Sequence, residues 1–368
     1  MKQCDRPKVL FILPTLGAGG AERILITLMN NLDRTRFQPE FLALNDAGPI
    51  KEWVDKEILF HSFKNRTIKT SIFKLYTLIK NTQPDVIFTT MVHSNALALL
   101  MKLFFPHIRV IVREAALPSV LISRYGIKGR FCTLVYKLLY GRADVVISNC
   151  SQMIEDFTKT IKISTKNHRI LFNPVDTQRL FSSIPSQFIM PQKRESTLHF
   201  VAVGRLAYEK GYDRLLHALV DFKPKKNWRI DLIGEGAYRE TLMRLIKELR
   251  LEEHVFLQGY HSNPWIIAAQ ADCLLLPSRW EGMPNVVLEG FSCGIPAIAM
   301  REAGGITDIE KYADDRYLSV VDTVDDFVCA MGDIKITPKT CKAQSVLPDA
   351  FSLACIMQEF DEILCGAE

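Results

Sequence analysis

The sequence predicts an α/β protein of two domains, each built on a parallel β-sheet covered by helices. Short unbroken apolar runs, such as residues 9–13, are typical of strands buried on both faces. These runs alternate with stretches in which apolar residues recur at helical spacing. The alternation occurs in two series, separated by a polar passage at residues 182–197 that has the composition of a linker. The 368 residues also exceed what one hydrophobic core commonly holds.

The elements follow in order along the two series. After the strand at 9–13, apolar residues from Ala21 to Leu32 recur at helical spacing and predict the first helix. Further strands of the first series are predicted at 85–88, 109–112, 144–148 and 169–172. Strands of the second series are predicted at 198–203, 228–233, 255–257, 273–276 and 297–300. The domains are therefore expected at residues 1–185 and 186–348.

Composition and charge narrow the function. The net charge of +5 divides into +12 for residues 1–185 and −7 for the remainder, which suggests different partners for the two halves. A basic half suits nucleic acid, anionic lipid or a phosphorylated substrate, but no zinc finger, RRM signature or Arg-rich tract is present, so we expect no nucleic acid. The nine scattered cysteines include no C-x-x-C pair and favour a reduced, cytoplasmic setting. The first residues do not have the pattern expected of a signal peptide, and Lys102, Pro106, His107 and Arg109 interrupt the apolar stretch at 95–112, so we expect no membrane span there.

Two carboxylates eight positions apart, Glu281 and Glu289, form the most informative motif. Pro284 between them predicts that a helix begins there, which places Glu281 on the loop at the helix mouth and Glu289 inside the helix. The free N–H groups of such a helix start suit a phosphate. A carboxylate on either side of that seat suits a ligand with hydroxyls at both ends of a diphosphate, as in a sugar nucleotide. By itself the spacing also fits two solvated glutamates on an ordinary helix.

The surroundings of this motif resemble those of the retaining glycosyltransferases of family four. Pro277-Ser278-Arg279-Trp280-Glu281-Gly282, Glu289 and then Cys293-Gly294-Ile295-Pro296 match the family fingerprint P-S-x-x-E-G-x-x-x-x-x-x-E followed by C-G-x-P. The resemblance implies the GT-B fold, in which two Rossmann-like domains face each other across a cleft. It also implies that the C-terminal segment, 349–368, packs back on the first domain. Retention in this family is assigned to front-face attack assisted by the departing phosphate.

A second motif, Gly204-Arg205-Leu-Ala-Tyr-Glu-Lys210-Gly211, matches the family's G-R-x-x-x-x-K-G. Arg205 and Lys210 would stand at the carboxyl end of a strand, where they could hold a diphosphate and stabilise the charge that it gains on leaving. The alternative is a pair of solvated surface cations. Because the sequence contains no D-x-D motif, we expect neither a metal site nor a cofactor requirement.

The resemblance assigns the remaining donor and catalytic residues. Glu289 would bind the ribose, Glu281 the donor sugar, and His93 would lie near that sugar, although a lone histidine is as often structural. The Gly17-Ala18-Gly19-Gly20 loop fails as a dinucleotide fingerprint, because the third glycine is replaced by Glu22. A tight turn is the other interpretation of that loop. The donor-binding residues expected in addition to Glu289 are Gly19, Gly20, Gly204, Gly234, Tyr260, Gly282, Met283, Pro284 and Asn285.

Gly17, Arg113 and Glu114 are expected to touch the acceptor. Asp308, in Gly304-Gly305-Ile306-Thr307-Asp308, is one methylene shorter than the family's usual glutamate, which would alter sugar choice if it binds the ligand.

Two basic, aromatic-rich stretches, 64–80 and 124–142, indicate either a solvated cationic face or docking on an anionic membrane.

These residues predict a retaining glycosyltransferase on the cytosolic membrane face. It would move a hexose or N-acetylhexosamine from a UDP-linked donor to a lipid-diphosphate-linked saccharide in surface polysaccharide assembly. A non-hydrolysing sugar-nucleotide epimerase and a non-catalytic partner subunit are the alternatives. Turnover of donor without acceptor would indicate the first, and donor binding without turnover the second.

Overall fold

A computed structural model describes residues 6–17, 19–64, 68–125, 127–163, 167–182, 197–335 and 344–366. The chain forms two compact units, the first comprising residues 1–174 and 354–368 and the second residues 175–353. The division falls between Pro174 and Val175, whereas the sequence places the first domain's end at 185. Most of the predicted linker, 182–197, lies outside the described residues.

The first unit contains a seven-stranded parallel sheet. Its strands are β1 (Lys8–Leu13), β2 (Gln38–Ala43), β3 (Leu59–Ser62), β4 (Val86–Thr90), β5 (Arg109–Arg113), β6 (Val145–Ser148) and β7 (His168–Ile170), in the spatial order β3-β2-β1-β4-β5-β6-β7. Its helices are α1 (Gly20–Asn30), α2 (Ile68–Thr82), α3 (Val92–Met101), α4 (Pro118–Tyr125), α5 (Ile127–Leu139) and α6 (Ser151–Glu155). The order reverses at β1, so the carboxyl edge near β1 and β4 is a topological switch point, where α/β sheets bind ligands.

The second unit repeats the plan with six parallel strands. They are β8 (Thr197–Val203), β9 (Asn227–Ile233), β10 (Val255–Gly259), β11 (Cys273–Leu276), β12 (Ala297–Met300) and β13 (Leu318–Val321), in the order β10-β9-β8-β11-β12-β13. Its helices are α7 (Thr177–Ser182), α8 (Tyr212–Ala218), α9 (Arg239–Glu248), α10 (Trp265–Ala268), α11 (Asn285–Ser292), α12 (Ile306–Glu310) and α13 (Val324–Asp333). The switch point of this sheet lies between β8 and β11, which carry the two sequence motifs on the loops that follow them.

The last helix, α14 (Leu353–Cys365), completes the core of the first unit. The Phe360 ring lies 4.9 Å from that of Phe88 and 6.3 Å from that of Phe11, centroid to centroid. Arg36 Nη1 also donates to Asp361 Oδ2 at 2.7 Å. The predicted return of the C-terminal helix to the first domain is therefore confirmed.

The predicted plan of two Rossmann-like domains is confirmed, and every strand predicted from an apolar run is present. Three strands were missed, namely β2, β3 and β13. β2 contains Pro39, which argues against a central strand. The Gln38 N–H donates to the Pro7 carbonyl at 3.0 Å on the β1 side, so Pro39 directs its missing N–H toward β3, whose pairing with β2 begins only at Glu40.

Within the described part of the chain, no helix is both long and apolar enough to cross a membrane.

Candidate active site

The loops after β8 and β11 meet at the carboxyl edge of the second sheet. Lys210 closes a single helical turn, Tyr208–Lys210, and its Nζ donates to Glu281 Oε1 at 2.5 Å. Ser278 Oγ donates to the same carboxylate oxygen at 2.8 Å. The Lys210 and Glu281 side chains are only 17 % and 16 % exposed, so this ion pair is largely withdrawn from solvent. Burial, assisted by the nearby Glu281 charge, raises the pKa of the Tyr212 phenol well above its usual value.

Glycine backbones allow these loops to approach so closely. Gly211, between Lys210 and α8, has a φ of 68°, and a Cβ there would lie 1.9 Å from the carbonyl oxygen of Pro277. A Cβ on Gly234 would likewise lie 1.9 Å from the carbonyl oxygen of Gly204. The Gly234 N–H donates to the carbonyl of Gly259 at 2.8 Å, which joins the loop after β9 to the end of β10. Side chains at these positions would therefore force apart the loops that form the site.

Arg205, the other predicted phosphate ligand, extends into solvent. Its side chain is 62 % exposed and its Nη2 donates to Glu209 Oε1 at 2.5 Å. The backbone carbonyl of Glu209 accepts from the Arg279 N–H at 2.8 Å, which ties this loop to the one that carries Glu281. Arg205 is thus anchored at one end and accessible to a ligand.

Arg279 clamps the two motif loops together. Its Nη1 and Nη2 donate to Asp213 Oδ1 and Oδ2 at 2.7 and 2.9 Å, and its guanidinium carbon lies 3.9 Å from the centroid of the Tyr208 ring. The Asp213 hydrogen bonds raise the pKa of Arg279. Bidentate pairing and ring stacking both need a planar guanidinium, so a lysine could not replace this arginine.

The helix of the first motif begins where the sequence predicts. Pro284 is the N-cap of α11, Asn285 its first residue, and Met283 is buried beneath the turn. The Gly282 carbonyl accepts from the Gly305 N–H at 2.7 Å. The helix therefore starts between the two motif glutamates and presents its first turn beside the Glu281 loop.

Glu289, within α11, accepts a hydrogen bond from the indole Nε1 of Trp265 at 3.0 Å. Tyr260, on the loop between β10 and α10, is 62 % exposed, as suits a residue that covers a ligand. Asp308 is buried and its Oδ1 accepts from Lys311 Nζ at 2.8 Å. The carboxylate of Asp308, whose side chain is shorter than the family's usual glutamate, is thus held by a lysine of its own unit.

In the first unit, the glycine loop connects β1 to α1. Gly19 is the N-cap of α1, Gly20 begins the helix, and both are exposed, whereas Gly17 is half-buried. A Cβ on Gly19 would lie 2.5 Å from Glu22 Oε2, so the buried Glu22 carboxylate turns back over the loop. Residue 18 lies outside the described residues. Glu22, which replaces the third glycine of the dinucleotide fingerprint, therefore packs its carboxylate against the glycine loop.

His93 is exposed in the first turn of α3. The residue before the helix, Met91, has φ 74° and ψ 136°, which is unfavourable for a side chain with a Cβ. Such backbone strain is commonly retained at functional sites. The placement leaves His93 accessible, and its contact with a donor sugar stays a prediction.

Arg113 and Glu114, expected to touch the acceptor, are both 1 % exposed. Arg113 Nη2 donates to Asn173 Oδ1, and Glu114 Oε1 accepts from Asn95 Nδ2 at 2.9 Å and from the Tyr140 hydroxyl. Burial raises the pKa of Glu114 to about 7 and lowers that of Arg113 to about 10. These contacts favour a role in fixing the end of β5, and acceptor contact stays a prediction.

Family models match most of each unit of the chain. Residues 18–179 match the family described as Glycosyltransferase Family 4, and residues 185–345 match Glycosyl transferases group 1. The chain is a GT-B glycosyltransferase of the family-four type.

Two curated relatives span most of this glycosyltransferase. The Campylobacter jejuni enzyme named N-acetylgalactosamine-N,N'-diacetylbacillosaminyl-diphospho-undecaprenol 4-alpha-N-acetylgalactosaminyltransferase is 26 % identical over 319 residues, 84 % of each chain. The Escherichia coli UDP-Gal:alpha-D-GlcNAc-diphosphoundecaprenol alpha-1,3-galactosyltransferase is 23 % identical, over 87 % of this chain and 85 % of its own. Anabaena HepE, solved with UDP-glucose, shares the fold with a TM-score of 0.77 at 19 % identity, covering 98 % of this chain and 99 % of its own.

Sequence reasoning missed the side chains that hold the predicted residues in place. Trp265, Asp213 and Tyr140 carry no motif signal, because their partners come from distant parts of the chain. Ser278 belongs to the fingerprint, but its bond to Glu281 is visible only in the structure. Among the described residues, no three His, Cys, Asp or Glu side chains come together as a metal site, and independence of metal ions stays a prediction.

Proposed function

We propose that this glycosyltransferase transfers a hexose or N-acetylhexosamine, with retention, from a UDP-linked donor to a saccharide carried on a lipid diphosphate. The observation that carries the donor half is the ion pair of Lys210 and Glu281 at the switch point of the second sheet. A cation for the phosphate and a carboxylate for the sugar hydroxyls stand together there, beside the start of α11. The alternative epimerase and non-catalytic interpretations lack comparable support.

The proposed roles follow from charge and position. Lys210 and the exposed Arg205 hold the diphosphate and stabilise the negative charge that develops on it as the glycosidic bond breaks. Glu281 accepts hydrogen bonds from the sugar, and Glu289 accepts them from the ribose. Since Lys210 and Glu281 neutralise each other without a ligand, the donor must insert its phosphate and sugar into this pair. Lys210 then exchanges Glu281 for the phosphate, and Glu281 exchanges Lys210 for the sugar hydroxyls. The site is therefore selective for a ligand that carries both a phosphate and a sugar.

The names of the relatives support the acceptor. Both the Campylobacter jejuni and the Escherichia coli enzymes are named for saccharides on diphosphoundecaprenol. A Salmonella typhimurium enzyme named lipopolysaccharide 1,6-galactosyltransferase is 31 % identical over 172 residues, 45 % of each chain. We therefore place the reaction in the assembly of a surface polysaccharide.

A membrane-bound acceptor requires a docking surface, which we assign to α2, α5 and the segment after α3. Tyr76 of α2 packs on Phe104 with ring centroids 5.6 Å apart, so α2 and this segment form one surface. Large apolar side chains exposed on these three segments are Phe73, Leu103, Phe104, Leu134 and Leu138. The adjacent Lys74 and Lys137 are exposed as well. Apolar groups flanked by lysines suit the interface of an anionic membrane. The side chains of Lys69 and Lys128, in the same predicted basic stretches, lie outside the described residues.

One experiment tests the reaction. Radiolabelled UDP-sugars are incubated with the enzyme and a membrane lipid extract, and label in the organic phase is measured. Transfer is expected for one donor and should be reduced about 100-fold or more in Arg205→Ala and Lys210→Ala, because the leaving diphosphate loses a cation. Chelator is expected to leave transfer intact.

Three results would contradict the proposal. They are transfer only to soluble acceptors, near-normal turnover in both variants, or conversion of the UDP-sugar with no lipid present. The last would indicate an epimerase.

A further inference from the structure

We propose that Trp265 is a positioning residue for the donor nucleotide, and that it acts by fixing the Glu289 carboxylate for the ribose. The inference rests on the proposed function, in which Glu289 accepts hydrogen bonds from the ribose hydroxyls. No motif marks Trp265, and its role follows from its contacts alone.

The indole is held rigidly. Trp265 is the first residue of α10 and is 4 % exposed. Its backbone N–H donates to Asn263 Oδ1 at 3.1 Å, and Ala268 N–H closes the turn on the Pro264 carbonyl at 3.0 Å. The outer carbons of the indole lie against α11 at Gly290, where an added Cβ would sit 3.9 and 4.0 Å from them. A buried ring so packed cannot turn its N–H elsewhere.

Because the indole is already fixed by packing, its hydrogen bond restricts the conformation of the Glu289 side chain rather than that of the tryptophan. Indole has one donor, and here it is aimed at Glu289 Oε2 at 3.0 Å. A glutamate has three side-chain torsions, and ordering them when the ligand binds would cost free energy. A carboxylate already fixed by the indole binds the ribose without that cost, which is the general benefit of preorganisation.

The position of Trp265 in the chain adds a second consequence. It lies on the same β10–β11 connection as Tyr260, the exposed residue expected to bind the donor. Trp265 thereby links the segment that carries Tyr260 to the carboxylate proposed to hold the ribose. A displacement of this connection would be transmitted to Glu289 through one hydrogen bond.

The test compares two nucleotides on the same protein samples. Calorimetry measures the affinity of wild type, Trp265→Phe and Glu289→Ala for UDP and for 2′,3′-dideoxy-UDP, which lacks the ribose hydroxyls. Trp265→Phe keeps an aromatic ring and removes the N–H, and it should weaken UDP about tenfold, as expected for loss of a hydrogen bond to a charged group. The same variant should bind the dideoxy nucleotide as wild type does. In turnover assays KM for the donor should rise while kcat stays close to that of wild type.

Two controls separate positioning from packing. Trp228→Phe makes the same change in the same unit, at a ring that stacks on His254 with centroids 4.2 Å apart. Gly290→Ala disturbs the packing around the indole, since its Cβ would lie 3.2 Å from Leu274 Cδ2, but it keeps the N–H. Neither should change the ratio of UDP to dideoxy-UDP affinity. Trp265→Tyr, which also lacks the indole N–H, replaces the phenylalanine variant if that variant does not fold.

The outcomes are distinguishable. If Glu289→Ala weakens UDP but not dideoxy-UDP, the ribose assignment stands, and an unchanged ratio in the Trp265 variant would then overturn the positioning role. Equal weakening of both nucleotides in that variant would also overturn it, because it would indicate a general packing defect. If Glu289→Ala fails to discriminate between the nucleotides, the proposed ribose contact itself is wrong.

Discussion

The pair of Lys210 and Glu281 predicts that one substitution will have opposite effects on binding and on turnover. Glu281→Gln keeps the shape of the side chain and removes its charge. In the wild-type enzyme a diphosphate must compete with this carboxylate for the Lys210 ammonium. The variant should therefore bind free UDP more tightly, although it transfers sugar more slowly.

The size of the effect follows from the geometry. The two charged atoms lie 2.5 Å apart and both side chains are largely buried. Two charges at such a site attract by about 4 kcal/mol at 4 Å with an effective dielectric constant near 20, and desolvation offsets most of this. If the Glu281 carboxylate competes with the diphosphate for Lys210 by a net free energy of about 1–2 kcal/mol, its removal should make UDP binding roughly tenfold tighter. Loss of the hydrogen bonds to the sugar should lower kcat by about 100-fold.

Calorimetry with UDP and a double-mutant cycle test this reasoning. In a Lys210→Met background, Glu281→Gln should give no further change in UDP affinity, because there is no ammonium left to release. Glu253→Gln, at an exposed glutamate of the same unit, removes one negative charge as a control. Weaker UDP binding by Glu281→Gln, or tightening that persists without Lys210, would refute the proposed division of roles.

The remaining predictions concern stability, the loop clamp and the membrane. Burial raises the folded-state pKa of Glu114 from the ordinary 4.5 to about 7, so its stabilising contribution is complete at acid pH and is lost as pH rises through about 7. Thermal unfolding from pH 5 to 8 should show wild type losing up to about 3 kcal/mol relative to Glu114→Gln, and parallel profiles would contradict this. Arg279→Lys should raise KM for the donor about tenfold, since an ammonium neither pairs twice with Asp213 nor stacks flat, and an unchanged KM would show that the clamp is dispensable. Wild type should sediment with anionic vesicles at low salt and be released by salt or by Lys74→Glu with Lys137→Glu, whereas protein that stays in the supernatant would exclude the proposed docking surface.

The buried strands were predictable because strands covered on both faces need unbroken apolar runs, as at Val9–Leu13 and Cys273–Leu276. β3 and β13 lie at sheet edges and need no such run, so their short, partly exposed sequences carry little signal. The positions of the two motif glutamates were also predictable from local sequence, because Pro284 marks the start of the helix between them. Their partners were not, because the bonds from Lys210 and Trp265 join residues that only the sheet order brings together. The hydrogen bonds to Glu114 likewise come from distant residues, Tyr136 of α5 and Tyr140 in the turn after it.

The return of α14 to the first unit affects the order in which the two units can fold during synthesis. Residues 175–353 form an uninterrupted segment, so the second unit has all of its sequence before the last helix is synthesised. The first unit, although its strands leave the ribosome before those of the second, lacks the Phe360 ring that packs on Phe11 and Phe88 until α14 has been synthesised. The unit that is begun first can therefore be completed only after the whole of the second unit has been made, and until then its aromatic core stays unfilled.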